Sequence, residues 1–157
     1  MKTMTTEDVQ RAGKMLLLVH GLQDKGWTIK LNSKKNIAGE CSYEKKTIYI
    51  SRHVIPLNSE KVICNLILHE IAHALMPESN HDVAWKRVFI SIGGDGEEKF
   101  KGKMPEGKYK YVCPTCNKVA SWHKELKRNM FCLPCSKVLG QIAVSYTHLT
   151  LPTIYSV

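Results

Sequence analysis

Apolar residues recur along this chain with two different periods, and the switches between them mark its elements. Val9, Ala12, Leu16, Val19 and Leu22 fall at helical spacing. Ahead of them, Thr5-Thr6-Glu7-Asp8 offers a capping hydroxyl and acids for the positive end of the helix dipole. Gly26 ends this element. Trp27–Leu31 alternates as a strand does, and Ile37–Tyr43 and Thr47–Ser51 are two more short strand candidates with a turn at Lys45-Lys46. In the last of these Ile48 and Ile50 share one face and Tyr49 takes the other. Pro56-Leu57-Asn58-Ser59 breaks the pattern, and Ser59 caps a predicted helix from Glu60 to Met76. Its apolar positions Val62, Ile63, Leu66, Ile67, Ile71, Ala74 and Leu75 predict a mostly buried helix, stopped by Pro77. His81–Ile92 is a second helical stretch. Gly93-Gly94-Asp95-Gly96 is the clearest boundary, and no internal repeat is found.

Composition narrows the class. A chain of 157 residues with 43% hydrophobic and 24% charged residues is one domain, or a small domain plus a metal-stapled module; a disordered or fibrous chain is excluded. No run approaches the roughly 18 apolar residues of a membrane span, and Met15–Val19 is too short and too far in for a signal peptide. The expectation is an intracellular, cytoplasmic protein with no membrane partner.

Charge changes the picture further. The formal charge is +9. From Gly96 to Gly140 ten Lys and Arg face four Glu, so the excess is concentrated in the shorter C-terminal part. Such a balance fits an anionic partner, most often nucleic acid, although a merely soluble basic protein has the same arithmetic. In Val144–Val157 the charged residues vanish. The run VSYTHLTLPT resembles the conceptual translation of a sequencing-library transposon adapter, which would end the biological sequence near Ala143; the other reading is a genuine β-like tail. The expected division is a domain over 1–95, a basic module over 96–143 and an adapter-derived tail over 144–157.

The first constellation with chemistry in it is His69-Glu70-Ile71-Ala72-His73. Positions i and i+4 stack on one helix face, so two imidazoles are able to share one Zn²⁺. Glu70 projects beside them, near enough to hold a metal-bound water without being a ligand; this is the H-E-x-x-H arrangement of zinc hydrolases. Two histidines and a glutamate in so apolar a helix are costly to bury without a partner. A catalytic zinc takes three protein ligands and keeps one position open. His81 leads for the third place, because Pro77 breaks the helix and Glu78-Ser79-Asn80 turns the chain back. Glu78 is the alternative, and His53 reads as a strand-end histidine. Metzincin spacing is absent, with Met76 and Ser79 in the places it requires. In this scheme the zinc polarises the scissile carbonyl and acidifies water, and Glu70 takes the proton as general base. The donor that shares the oxyanion is not legible in the sequence.

The second constellation is Cys113-x2-Cys116-x15-Cys132-x2-Cys135. That spacing is a structural zinc ribbon, in which four thiolates close a tetrahedron and leave no open position. Cys41 and Cys64 stand alone and read as small buried hydrophobes. Around the quartet, lysines interleave with Tyr109, Tyr111, Trp122 and Phe131. Lys118, Trp122, Lys124, Lys127 and Arg128 are the candidate nucleic-acid contacts, cations for phosphates and a ring for an unpaired base; the competing reading is that the rings merely cover the small ribbon core.

Taken together the chain resembles the SprT-like metallopeptidase family, the relatives of Spartan. The resemblance runs from about Thr6 to Gly140 and rests on Trp27, on Thr47-Ile48-Tyr49-Ile50-Ser51, on Leu68–Ala74 around the two histidines, on His81-Asp82-Val83-Ala84-Trp85-Lys86, and on the ribbon. The family commonly has Gly after its third ligand, where this chain has Asp82. The resemblance implies an α+β fold: a minimal zincin, with helices packed on a small antiparallel sheet, followed by a C-terminal zinc ribbon. It implies a small bacterial or phage member in which His69, His73 and His81 bind a catalytic zinc, Glu70 is the base, and a second zinc is structural. The implied activity is proteolysis of DNA-bound or DNA-crosslinked proteins in DNA repair, by a monomer acting with single-stranded or damaged DNA in the cytoplasm of a bacterium or phage-infected cell. The alternatives are a non-catalytic zinc-containing DNA-binding or regulatory protein, and a zinc peptidase indifferent to nucleic acid.

Overall fold

The structure, a computed structural model, describes residues 2–127, 132, 134–135 and 147–149. It divides into two compact units, Met1–Pro105 and Glu106–Val157.

The first unit opens with α1, Thr6–Val19. Thr5 caps it through a reciprocal pair: its hydroxyl accepts from the Asp8 amide, and the Asp8 carboxylate accepts from the Thr5 amide. After a short 3-10 turn at Gln23–Lys25, Gly26 takes a left-handed conformation (φ 83°) and releases the chain into β1, Thr28–Asn32. The remaining strands are β2, Gly39–Ser42, and β3, Thr47–Ser51. The sheet order is β1-β3-β2. The β2–β3 hairpin is antiparallel, but β1 lies parallel to β3, so the sheet is mixed where a wholly antiparallel one was expected. The cause is the burial of β3. Ile48 and Ile50 are fully covered, and β3 therefore takes the central place. Residues 33–38 carry the chain past the end of β3 to its far side, and β1 is left parallel.

Two helices complete the unit: α2, Glu60–Leu75, and α3, Val83–Ser91. Val9, Leu17, Ile29, Ile48, Ile50, Ile63, Ile67 and Ile71 belong to one core between α1, α2 and the sheet. At about 25 cal/mol per Å² of apolar surface, each such side chain adds roughly 1.5–3 kcal/mol. The helix expected from His81 starts two residues later, because His81 is left-handed (φ 56°) and Asp82 is the cap. The unit also extends past the Gly93–Gly96 turn. Phe100 packs on the core, and the buried Asn58 side chain bonds the Lys103 amide at 2.7 Å and its carbonyl at 2.9 Å, fastening residues 97–105 to the domain.

The second unit carries β4, Tyr109–Val112, and β5, Val119–Trp122, paired antiparallel. A third strand, β6, Thr147–Leu149, pairs with the other edge of β4. These are residues of the adapter-like run; an open strand edge bonds any extended backbone, whatever its origin. Among the described residues no helix is long and apolar enough to cross a membrane.

Candidate metal centre and catalytic cleft

Helix α2 delivers the first two imidazoles. His69 and His73 lie one turn apart on the face opposite the Ile63–Ile67–Ile71 stripe, which is pinned in the core. Pro77 then ends the helix, and the loop returns the chain so that His81 faces them. The Nε2 atoms of His73 and His81 are 3.0 Å apart, and those of His81 and His69 are 3.2 Å apart. Three nitrogens on a tetrahedral zinc, at about 2.0–2.1 Å each, stand roughly 3.3 Å from one another. The trio therefore fits such an ion. Among the described residues it forms one of two groups whose ligating atoms all lie within 4.8 Å of one another. Glu78 lines the same cleft without joining that group, and His53 lies outside it.

His81 reaches its place through a backbone conformation uncommon for a non-glycine residue. The next residue is ordinary: Asp82 has φ −77° and ψ −177°, so no glycine is needed there. Its carboxylate instead accepts from the Trp85 amide at 2.8 Å and starts α3. That same turn places the Trp85 ring, fully buried, against all three imidazoles, with centroids 4.7 Å from His69, 5.1 Å from His73 and 4.7 Å from His81. Phe89 adds a further ring beside His69 at 5.4 Å. The Nε2 of His69 faces His81. Burial, and then the neighbouring imidazoles, lower His69 to about 4, an effect that the Glu97 backbone beside it partly offsets; burial and His81 bring His73 to about 4 as well. Both rings are therefore neutral at physiological pH, the form that binds metal.

Glu70 points to the other side of α2's ligand face. It is 5% exposed, and burial, followed by the charge of Glu40, raises its carboxyl to about 8. The backbone of β2 passes directly over it at Gly39, where a Cβ would stand 2.5 Å from Oε1. The cleft in front, about 380 Å³, is lined by Gly39, Cys41, Tyr43 and the loop from Pro77 to His81 as well as by the site itself. Tyr43 donates from its hydroxyl to the His73 carbonyl at 3.0 Å, and its ring meets Trp27 edge to face at 6.1 Å. Cys41 and Cys64 are half-buried, and burial raises both thiols, Cys41 to about 12.

The second group of ligating atoms is Cys113, Cys116, Cys132 and Cys135. The Sγ atoms of Cys113 and Cys135 are 3.8 Å apart, as are those of Cys116 and Cys132. Thiolates on a tetrahedral zinc at about 2.3 Å stand roughly 3.8 Å apart. A turn closed by Asn117 N–H to Cys113 C=O at 2.9 Å, with Asn117 left-handed, brings the first pair together. Four ligands leave no vertex for a substrate.

Of the candidate nucleic-acid contacts, Lys118, Trp122, Lys124 and Lys127 are exposed, and Arg128 lies outside the described residues. Tyr111 is buried and its hydroxyl accepts from the Leu126 amide, so that ring belongs to the module's interior. Phe131 lies outside the described residues.

The sequence reading named His69, Glu70, His73 and His81 but gave no role to Gly39, Tyr43 or Asp82. Gly39 owes its importance to a close approach across 31 positions of chain, and no local pattern announces that.

The chain is similar to known proteins both in sequence family and in fold. The family model described as SprT-like family matches residues 10–105. The crystal structure of the metallopeptidase zymogen of Methanocaldococcus jannaschii jannalysin superposes with a TM-score of 0.50 at 19% identity, covering 57% of this chain and 86% of that one. That of the metallopeptidase zymogen of Pyrococcus abyssi abylysin gives 0.44 at 21% identity, covering 52% and 75%. The first likeness shows a shared fold. No curated protein sequence matches the chain.

Proposed function

This chain belongs to the SprT-like family, and from that premise we propose that it is a zinc-dependent metalloendopeptidase acting on DNA-bound or DNA-crosslinked proteins. The observation that carries the hydrolytic part is the convergence of His69, His73 and His81, with the buried Glu70 carboxylate lining the same cleft but outside that group of ligating atoms. A zinc ion held by those three nitrogens supplies Lewis acidity toward water and toward the scissile carbonyl. Glu70 sits where it is able to accept the proton of the attacking water and hand it to the departing amine. A carboxyl whose proton affinity is raised by burial suits a group that must take and then release a proton near neutrality. Trp85 and Phe89 wall the rings from behind, so the ligand nitrogens are set before substrate arrives. The four cysteines, by the same reasoning, hold a zinc that folds the second unit, and thiolate pairs of this kind belong to a reducing compartment such as the cytoplasm.

Support for the DNA part is the exposure of Trp122 and of Lys118, Lys124 and Lys127 on a module with a strong excess of cations. Exposed rings stack on unpaired bases and lysines release counterions from the strand. The test is cleavage of a DNA-binding protein by the zinc-loaded, full-length monomer, with and without single-stranded DNA. Wild type cuts, more so with DNA; Glu70→Gln keeps its zinc and cuts nothing. Replacing the three lysines by alanine flattens the salt dependence of binding to single strands, by about 0.7 in log–log slope for each phosphate no longer neutralised. Cleavage unchanged by Glu70→Gln refutes the base. Biological effect lost with the lysines but kept in Glu70→Gln favours a non-catalytic DNA-binding protein.

A further inference from the structure

Hydrolysis of an amide places negative charge on the carbonyl oxygen, and enzymes meet that charge with a hydrogen-bond donor aimed at it. Resting on the peptidase reading above, we propose that Tyr43 is this donor: a catalytic residue whose hydroxyl leaves the His73 carbonyl and hydrogen-bonds the oxyanion formed on the substrate.

The cleft offers few groups able to do this. Its hydroxyl and amide side chains are those of Tyr43, Ser79 and Asn80. Ser79 is buried and its side chain is committed to Asp82. Asn80 is exposed on the loop and, unlike Tyr43, has no ring packed on Trp27 to orient it. The Cys41 thiol is a weak donor. Tyr43 remains, and it has three properties the task needs. The residue is 42% exposed, and the contact of its ring with the buried Trp27 limits where the ring swings. Its hydroxyl is held at the His73 carbonyl, whereas Glu70 lies against Gly39, so donor and base enter the same cleft at different points. Its present bond is also dispensable. The His73 carbonyl accepts a second hydrogen bond, from the Met76 amide at 3.1 Å, so no acceptor is stranded when Tyr43 turns away.

The step balances without Tyr43 giving up its proton. The oxygen of water bonds to the carbonyl carbon and the C–N bond breaks. The proton of water passes on Glu70 to the departing nitrogen, and Tyr43 supplies a hydrogen bond that strengthens as the oxyanion forms and is released when the carbonyl re-forms.

The experiment compares wild type, Tyr43→Phe and Glu70→Gln, each zinc-loaded and full length, on an unstructured fluorogenic peptide, and measures the affinity of a phosphinic peptide that mimics the tetrahedral oxyanion. The expected result for Tyr43→Phe is a loss of about 10²–10³-fold in kcat, KM changed by less than roughly twofold, weakened phosphinic-peptide binding, and unchanged zinc content and thermal midpoint. Wild-type kcat in Tyr43→Phe, with Glu70→Gln inactive, overturns the role of Tyr43 and leaves the peptidase reading standing. So does a loss that saturating zinc restores, because Tyr43 would then only steady the His73 turn. No cleavage and no phosphinic-peptide binding by the wild type overturns both readings together.

Discussion

Replacing Gly39 by alanine separates the chemistry of the site from its stability. The added methyl would fall 2.5 Å from Oε1 of Glu70 and 3.0 Å from both Cδ and Cγ. Because these atoms are the end of a flexible side chain, the strain is relieved by turning the carboxylate aside; the cost in folding stability stays at or below the about 1–3 kcal/mol usual for overpacking. The catalytic cost is larger. Clearing the contact moves the carboxylate by the better part of about 1 Å, and a misplacement of that size removes roughly 10²-fold in rate. The histidines are untouched, so zinc stoichiometry does not change. The assay is kcat/KM on a peptide substrate beside zinc content and a urea melt. Gly13→Ala is the control: its methyl would fall 2.2 Å from Cδ1 of Ile29, in the core, and it should move the melt and not the turnover. Retention of wild-type kcat/KM by Gly39→Ala would refute the argument that this backbone approach positions the base.

Three further predictions follow the same logic. Trp85→Ala removes the ring against which the three imidazoles rest; it should cost about 3–5 kcal/mol in a urea melt of metal-free protein and weaken zinc by about 10–100-fold against a chromophoric chelator, while Trp85→Phe recovers most of both. In metal-free protein His69 and His73 protonate only near pH 4 when folded but near 6.5 when unfolded, so they add stability as pH rises through that interval. Glu70 ionises near 4.5 unfolded and only near 8 folded, so it removes stability as pH rises from about 4.5 to about 8. Two histidines outweigh one glutamate below pH 6.5 and Glu70 acts alone above it, which puts the stability maximum near 6.5; stability that keeps climbing to pH 8, or a falling limb that survives Glu70→Gln, contradicts this. Finally, chelation or Cys132→Ser should abolish the hydrogen-exchange protection of β4 and β5 amides while α2 amides in the first unit stay protected; loss of both together would show that the units do not fold separately.

Much of this was legible because it is local. The i, i+4 histidines, the apolar stripe that orients them, Pro77 and the cysteine spacing each lie within one or two turns of chain, where residue type dictates geometry. The helix start with a threonine cap and acids in the first turn was visible for the same reason, although not the bond from the Thr5 amide back to Asp8. The parallel placement of β1 was not, because it depends on which strand is most fully buried, a property of the whole sheet. Nor was the start of α3: His81 and Asp82 both read as helical, and only the demand that His81 face α2 puts its backbone left-handed and makes Asp82 the cap. Tyr43 and Gly39 enter the site from a hairpin that is about 30 positions upstream, so their roles appear only in three dimensions.

The join between His81 and Trp85 has an evolutionary corollary. One carboxylate–amide bond at a helix start sets both the last ligand and the ring behind the cluster, so a single inserted residue between positions 81 and 85 would uncouple them. The stretch from 77 to 80 lacks that ligand-to-ring gearing and meets the join only through Ser79 at Asp82. Distant homologues should accordingly tolerate insertions and deletions before the third histidine and none for four positions after it, and a search pattern weighted that way would reach further than one that treats both gaps alike.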